Sequence, residues 1–419
     1  MVLRSSAVLD QARIFITSPQ LAQAFTIATI GTLVLSNALS KLIGWPGYFA
    51  IIGGILALTI TALVFNWSAI EWRGLLPVSL LIYVGWCVLS LLWSDYQSAT
   101  VGGVLYLAVV TFLAVYVGLS RDLIQVIRAF GDVLRFVLAA SLVLEVFSGL
   151  LVDAPISFLG IQGNLASGGP IQGLLGSRNP LGLVAIVAIV TFLVELLTKS
   201  APRQLAIFSL VLGGLCVAFT RSPVAFGTLL VLGLAAAALL GLRAAKPASR
   251  RVLQISLGVA LGLGLIIAFL FRSPIIALLN AESEFETRYL LWRSILSVTN
   301  ASPVEGVGFI GVWRRDLAPY ISFGGHASAL NAYLDVWLQI GIVGLALFSA
   351  LLALALVRSW LLGSNKQSVV YLWPVLVLIA LVVVSAAESA VLSGIGWFTL
   401  VIVTLKASQE LSWRRRLDD

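Results

Sequence analysis

Residues 286–344 concentrate polar side chains within a hydrophobic chain, and their sequence is ETRYLLWRSILSVTNASPVEGVGFIGVWRRDLAPYISFGGHASALNAYLDVWLQIGIVG. Long apolar runs with almost no charge lie on both sides of this stretch. The stretch contains the protein's single histidine and a group of cationic side chains, namely His326, Arg288, Arg293, Arg314 and Arg315. When a hydrophobic chain concentrates its polar chemistry between apolar runs, that segment is the first candidate for a functional site.

The composition predicts a polytopic membrane protein. Of the 419 residues, 60% are hydrophobic and only 11% are charged, and the mean hydropathy is +1.06. A soluble domain would carry roughly 25% charged residues. Because hydrocarbon cannot satisfy exposed backbone groups, each spanning segment must be helical. The predicted fold class is therefore all-α.

Twelve apolar runs approach the length of about 20 residues that crosses a bilayer as a helix. They are residues 21–40, 47–65, 75–93, 101–119, 134–152, 181–198, 204–220, 223–242, 252–271, 330–357, 370–388 and 390–405. The first residues are mixed in character and lead into a full-length run, so we expect no cleavable signal and a first helix that remains as an anchor. The predicted organisation is one integral membrane domain over residues 1–419.

The distribution of Lys and Arg predicts the orientation. With the N-terminus in the cytoplasm, 18 of the 26 basic residues fall on inner loops, as the positive-inside rule favours. Both termini are then cytoplasmic, and residues 272–329 form a large extracytoplasmic loop before the third-last helix. The net charge of +8 is explained by these inner loops, so we expect contact with the bilayer and no nucleic-acid partner. Cys87 and Cys216 lie inside apolar runs, and we see no spacing typical of a metal site, a disulfide or a cofactor.

Two outer stretches contain an isolated polar feature. In LLWSDYQSA (91–99), Trp93 ends an apolar run and is either an interfacial tryptophan or part of a site. In AFTRSPVAF (218–226), Arg221 has no acidic neighbour in the sequence. Such an arginine either extends to the membrane surface or lines a polar cavity.

A third outer stretch, GLLGSRNPLG (173–182), leads into an apolar run. Asn179 and Pro180 are typical of a helix start, with the asparagine as the N-cap and the proline at the first helical position. A helix N-terminus beside Arg178 would attract an anion. Plain helix entry is the alternative interpretation.

Within residues 282–329, Arg288 and Trp292 are four positions apart and would share one helix face, with Arg293 on a different side. The acids Glu282, Glu284 and Glu286 alternate, which favours a solvated loop. We expect Arg314 and Arg315 to begin a short helix in the loop. Several arginines with one titratable base suit a polyanionic substrate, because guanidinium groups bind phosphate oxygens in pairs and a neutral imidazole accepts a proton near neutral pH.

The motifs WSDYQSA, GLLGSRNPLG, AFTRSP, RYLLWRSIL with SPVEGVGF, and ALNAYLDVWLQIGIVG occur in this order over residues 75–405. This set resembles the O-antigen ligase and polymerase family of bacterial membrane glycosyltransferases, and within it the exopolysaccharide-production branch. The resemblance implies a GT-C-like bundle and a metal-independent transfer of a polyprenyl-pyrophosphate-linked glycan to an acceptor hydroxyl at the outer face of the inner membrane. The acceptor would be a glycan, a lipid or a wall polymer.

The resemblance also implies roles for individual residues. Outer-face arginines of the family hold the pyrophosphate, and the matching positions here are Arg221, Arg288 and Arg178. The candidate catalytic residues are His326, Arg288 and Arg221. The candidate substrate-binding residues are Arg178, Asn179, Arg314, Arg315, Asn331, Trp292 and Trp93.

One departure from the family pattern concerns the base. The ligases carry His-Asn, nine further residues and Gly-x-x-Gly; here Asn331, Gly341 and Gly344 keep that spacing, but Leu330 precedes the asparagine. Either His326, four residues earlier, acts as the base, or a carboxylate or a pyrophosphate oxygen does. Asp335 and the acids at 282–286 are the alternative carboxylates.

Two other functions are open from the sequence. A twelve-span transporter or flippase of lipid-linked glycans would place charges at the membrane midplane and show two related halves, whereas mid-span charges here are few. A cell-wall polymerase of the shape-and-division type would carry a critical aspartate in its outer loop, for which Asp316 is the one candidate.

Overall fold

The computed structural model describes residues 18–65, 77–278 and 282–410. About 80% of the structure is helical. Within those ranges no β-strand occurs, and the single bridge joins Ile156 to Ile161. The all-α fold class is therefore confirmed. The first seventeen residues, which bear on the prediction about a signal, lie outside the described ranges.

Fifteen α-helices occur in the described ranges, and a π-helical turn, Phe147–Val152, extends one of them. In chain order the α-helices are α1 (Pro19–Val34), α2 (Ser36–Phe65), α3 (Val78–Leu89), α4 (Gln97–Ser120), α5 (Leu123–Val146), α6 (Arg178–Thr198), α7 (Arg203–Thr220), α8 (Pro223–Ala244), α9 (Pro247–Leu270), α10 (Arg272–Leu278), α11 (Glu282–Thr299), α12 (Ala318–Ser322), α13 (Ala332–Asn365), α14 (Leu372–Val384) and α15 (Gly394–Glu410).

Eight helices of the described chain are long and apolar enough to cross a membrane. They are α2, α4, α5 with its π-helical extension, α6, α7, α8, most of α9, and α13. Four predicted spans, at 21–40, 75–93, 370–388 and 390–405, correspond to the shorter helices α1, α3, α14 and α15. The count of twelve spans is not confirmed. The expected boundary near Arg221 is present, because α7 ends at Thr220 and α8 begins at Pro223.

The chain divides into two compact units. The first comprises the described residues of Met1–Leu81, Leu105–Ser222 and Ala390–Asp419, and the second comprises those of Ile82–Val104 and Pro223–Ser389. In the first unit, α6 packs against both α5 and α7. In the second, α14 packs against α13 and α8, and α11 packs against α13.

Helix α13 is broken at Ile340 and Gly341, where Gly341 adopts φ 70° and ψ −175°. The break leaves backbone carbonyl groups without helical partners, and these must be satisfied in an apolar surrounding. The Val307 amide donates to the Leu338 carbonyl (3.2 Å) and the Gly308 amide donates to the Gln339 carbonyl (2.8 Å). The segment 303–311 thus replaces the missing helical hydrogen bonds.

Glycine is required on both sides of this crossing. A Cβ atom at Gly341 would overlap the Val304 carbonyl, and one at Gly306 would lie 2.6 Å from the Gln339 carbonyl oxygen. The Gln339 side-chain oxygen also accepts from the amides of Ile310 and Gly311, both at 2.8 Å. The segment and the break in α13 therefore fit together backbone to backbone.

The predicted loop 272–329 contains three helices, α10, α11 and α12, joined by turns. Its apolar side chains contribute to a core cluster that includes Leu291, Ile295, Trp313 and Phe323. The loop is thus a folded segment, and its position outside the membrane stays a prediction.

Candidate functional site

The guanidinium of Arg288 lies at the centre of a buried group of charges on α11. Its Nη1 donates to Glu284 (2.8 Å), its Nη2 donates to Glu388 (3.1 Å) and its Nε donates to the Ala387 carbonyl (3.3 Å). Arg288 is 8% exposed. These four residues are called the Arg288 cluster below. Because guanidinium is always charged and poorly solvated there, the two carboxylates supply the compensation that burial demands.

The solvated loop expected for Glu282, Glu284 and Glu286 is wrong, because all three belong to α11. Acids in a first turn are stabilised by the helix dipole, and Glu284 is four residues before Arg288, the favourable order for an ion pair along a helix. The alternate spacing of the three glutamates favoured a loop, although Glu284 and Arg288 are one helical turn apart and form an ion pair. The shared face of Arg288 and Trp292 is confirmed: both point inward, while Arg293 is exposed.

Trp292 connects α11 to the segment that precedes α13. Its indole N–H donates to the Ala329 carbonyl (2.9 Å), and the Ala329 amide donates to Asp335 (2.9 Å). The fully buried Asp335 carboxylate also accepts from the Trp313 indole (3.4 Å) and from the Ser389 hydroxyl. Asp335 therefore links three parts of the chain by hydrogen bonds: the Trp313 indole, the backbone at Ala329 and the Ser389 side chain.

Asn331 is the N-cap of α13. Its side-chain oxygen accepts from the amides of Tyr333 (3.0 Å) and Leu334 (3.1 Å), and its side-chain nitrogen donates to the Ala386 carbonyl (3.1 Å). Leu330, just before it, has φ 50°, a left-handed conformation that is costly for a leucine. The chain thus turns sharply at the position where the related ligases carry histidine.

His326 lies in the irregular segment between α12 and α13 and is half-buried. It follows Gly324 and Gly325, which both have positive φ. The Trp313 amide donates to the Ala327 carbonyl (2.8 Å), which attaches this segment to the core. The helix α13 does not extend back to His326, so the histidine belongs to the loop and not to the helix face.

Arg314 and Arg315 are exposed and lie in a turn before α12, which begins only at Ala318. The expectation that they begin the helix is therefore wrong by three residues. Pro319 follows closely in the first turn of α12, where proline is favoured, and this explains the later start. Arg314 lies 3.6 Å from Asp316 in an exposed ion pair, which contributes little.

Trp93 donates its indole N–H to the Glu305 carbonyl (2.9 Å) and packs against Trp86. It therefore contacts the segment 303–311 and makes no described hydrogen bond to the Arg288 cluster. Tyr96, in the same polar turn, packs edge-on against Trp313. Burial, with a smaller contribution from Asp95, raises the pKa of the Tyr96 phenol.

In the first unit, Arg221 ends α7 with a left-handed backbone at φ 46° and an exposed side chain. Its guanidinium faces Gly168, where a Cβ atom would lie 3.4 Å from Nη2. The neighbouring Ser222 is buried and its hydroxyl donates to the Asn179 side chain (2.7 Å). Arg178 and Asn179 thus lie at the same end of the α6–α7 pair as Arg221.

Helix α6 begins two residues earlier than predicted. Ser177 occupies the N-cap position, Arg178 is the first helical residue, and Asn179 is inside the helix. The predicted capping by Asn179 is therefore wrong, because its side-chain oxygen accepts from Ser222 instead. The convergence of Arg221 with Arg288 joins residues of the two units and stays a prediction.

No group of three or more His, Cys, Asp and Glu side chains in the described ranges is arranged to hold a metal ion. The sequence interpretation missed Glu388, the carboxylate that approaches Arg288 from the turn after α14. A charged residue at the junction of two apolar runs was the signal that drew attention to Arg221, and the same signal marks Glu388.

The fold and these charged clusters define a multi-pass membrane protein that carries polar chemistry at the ends of its helices. Residues 206–349 match the sequence profile of a family described as O-antigen ligase (Wzy_C). The match covers about a third of the chain, and over those residues it supports the resemblance to the O-antigen ligase and polymerase family. A search of curated proteins found no match.

Proposed function

We propose that this protein is a glycosyltransferase of the inner membrane that joins a polyprenyl-pyrophosphate-linked glycan to an acceptor hydroxyl at the outer face. The observation that carries the proposal is the O-antigen ligase match, because it contains Arg221, Arg288, His326 and Asn331. The family implies a lipid-linked glycan substrate and a bilayer setting. Ligase and polymerase activity differ in the acceptor, and the proposal covers both.

The proposed reaction is a single displacement. The acceptor oxygen forms a bond to the anomeric carbon of the donor glycan while the bond from that carbon to the pyrophosphate oxygen breaks. Polyprenyl pyrophosphate leaves with the bonding electrons, and the acceptor proton passes to a base. Guanidinium groups stabilise the charge that grows on the leaving group, which is a large contribution to such catalysis. Arg288 and Arg221 are the proposed guanidiniums, with Arg178 as a further contact.

Among the candidate bases named from the sequence, the surroundings favour His326 over Asp335. The Asp335 carboxylate is fully buried and accepts hydrogen bonds from Ala329, Trp313 and Ser389. His326 is half-buried on a glycine-flanked loop, where an imidazole is able to meet a substrate. We therefore propose His326 as the base. No metal is invoked in this scheme, and both termini are proposed to face the cytoplasm.

Purified protein in lipid nanodiscs, supplied with a polyprenyl-pyrophosphate-linked oligosaccharide, tests the proposal. We expect release of polyprenyl pyrophosphate only when an acceptor glycan is present, together with a new glycosidic product in the mass spectrum. The same assay in the presence of a chelator tests the metal-independent part. Movement of the lipid-linked glycan across a vesicle membrane with no release of the carrier would overturn the proposal and favour a flippase.

A further inference from the structure

The two glutamates of the Arg288 cluster compete for the same guanidinium that the proposed function assigns to the donor pyrophosphate. Arg288 has five N–H groups, and three of them donate to Glu284, Glu388 and the Ala387 carbonyl. Two carboxylates and one guanidinium leave the cluster with a net charge of −1. A pyrophosphate that approached this arrangement unchanged would meet repulsion.

The two carboxylates are attached differently. Glu284 is on the same helix as Arg288, one turn earlier, at 18% side-chain exposure. Its neighbours Glu282 and Glu286 are exposed, so its side chain has a short path to water. Ion pairs one turn apart on an exposed helix are weak, and Glu284 is the more exposed of the two carboxylates, at 18% against 12% for Glu388.

Glu388 is held by a separate element. The residues around it are fixed to α13: the Ser385 carbonyl accepts from the Ala332 amide (2.8 Å), and the Ser389 hydroxyl binds Asp335. Ala387 accepts from Arg288 beside it. Because this turn is anchored on both sides of Glu388, the second carboxylate stays with the guanidinium.

From this asymmetry we infer that Glu284 is a removable counter-ion of Arg288, which the pyrophosphate of the donor replaces, and that Glu388 is a positioning residue that keeps the guanidinium oriented during the exchange. The inference rests on the proposed function for the identity of the anion. The exchange is ionic and forms no covalent bond. Pyrophosphate oxygens take the place of the Glu284 oxygens on Nη1, and the Glu284 carboxylate turns to water.

Isothermal titration calorimetry with inorganic pyrophosphate measures the Kd of the anion and so tests the exchange without turnover. We expect Glu284→Gln to lower the Kd about two- to fivefold, because an amide competes less well than a carboxylate for the guanidinium. Glu282→Gln is the matched control, since it removes an equal charge from the same helix turn at an exposed position. It should leave the Kd within about a factor of 1.5 of the wild type, because screened surface charges contribute little.

Turnover of the lipid-linked donor separates the two glutamates. Glu284→Gln should lower KM with little change in kcat, whereas Glu388→Gln should lower kcat about tenfold or more, because a misdirected guanidinium no longer meets the leaving group. Glu388→Asp, which keeps the charge, should recover part of kcat. A Glu284→Gln variant that behaves like Glu282→Gln in both assays would overturn the inference.

The outcomes distinguish this inference from the proposed function. If the wild type binds pyrophosphate with the expected pattern but releases no polyprenyl pyrophosphate, the proposed reaction fails and the counter-ion exchange stands. If the wild type transfers glycan but Glu284→Gln leaves both Kd and KM unchanged, the exchange is wrong and the reaction stands.

Discussion

Replacing Arg288 by alanine tests whether this arginine serves catalysis or only folding. The substitution removes the proposed partner of the leaving group, and loss of one such electrostatic contact lowers kcat by about 10²–10³. It also removes the guanidinium that Glu284 and Glu388 share, and those two carboxylates are only 18% and 12% exposed. Exposed pairs contribute up to about 1 kcal/mol and fully buried ones about 3–5 kcal/mol, so we expect a loss of about 2 kcal/mol in the free energy of unfolding.

A combined variant separates these two effects. Arg288→Ala together with Glu284→Gln and Glu388→Gln also removes the two negative charges that Arg288 neutralises, and it should recover most of the lost stability. It should not recover turnover, because the contact with the leaving group is still absent. Arg288→Lys should rescue turnover poorly, since an ammonium lacks the planar pair of donors. Arg293→Ala, five residues later on the exposed side of α11, is the control and should behave as wild type.

The assays are thermal unfolding of the detergent-solubilised protein and release of polyprenyl pyrophosphate in nanodiscs. Wild-type turnover in Arg288→Ala would remove Arg288 from the site. Recovery of turnover in the combined variant would mean that the arginine acts through folding alone.

Three further predictions concern other parts of the chain. Arg221→Asn keeps a residue type that tolerates the left-handed backbone and should lower donor turnover about 10²-fold if the guanidinium meets the leaving group. His326→Gln should lower kcat about 10²–10⁴-fold with normal expression, if the imidazole is the base. Gly341→Ala places a methyl group against the Val304 carbonyl at φ 70° and should destabilise the protein by more than about 2 kcal/mol, measured as a fall in melting temperature.

Two of these predictions have a control variant within the chain, and the third has an outcome that would contradict it. Arg203→Asn changes an exposed arginine at the opposite end of the same helix and should leave turnover unchanged. Full activity in His326→Gln would assign the proton transfer to another group. Gly262→Ala, at an open position on α9, should leave the melting temperature unchanged, and equal losses in both glycine variants would contradict the proposed fit at Gly341.

The sequence was enough to predict those features that depend on local periodicity. Helical spacing placed Arg288 and Trp292 on one face, and apolar length located helices at all twelve predicted spans. The hydropathy profile did not predict the helix breaks at Gly44 and Gly341. Apolar residues flank both glycines, so the average over a window stays high there. Nor did it predict that α3 would have only 12 residues.

The partners of the candidate site were harder to predict. Glu388 is 100 positions from Arg288, and no local pattern relates a residue on one helix to a turn so distant in the chain. The roles of Asn331 and Asp335 could not be predicted for the same reason. Their side chains bind the segment around Ala329 and the turn at 385–389, and those contacts exist only after the elements have packed.

The contact between the segment 303–311 and the break in α13 has a consequence for the detection of distantly related sequences. Main-chain atoms form most of this contact, so the exposed side chains of Val304 and Glu305 are open to replacement while Gly306 and Gly341 are not. A search pattern built on the intervals between these glycines and Gln339 should therefore retrieve divergent homologues that a pattern built on arginine and histidine would overlook.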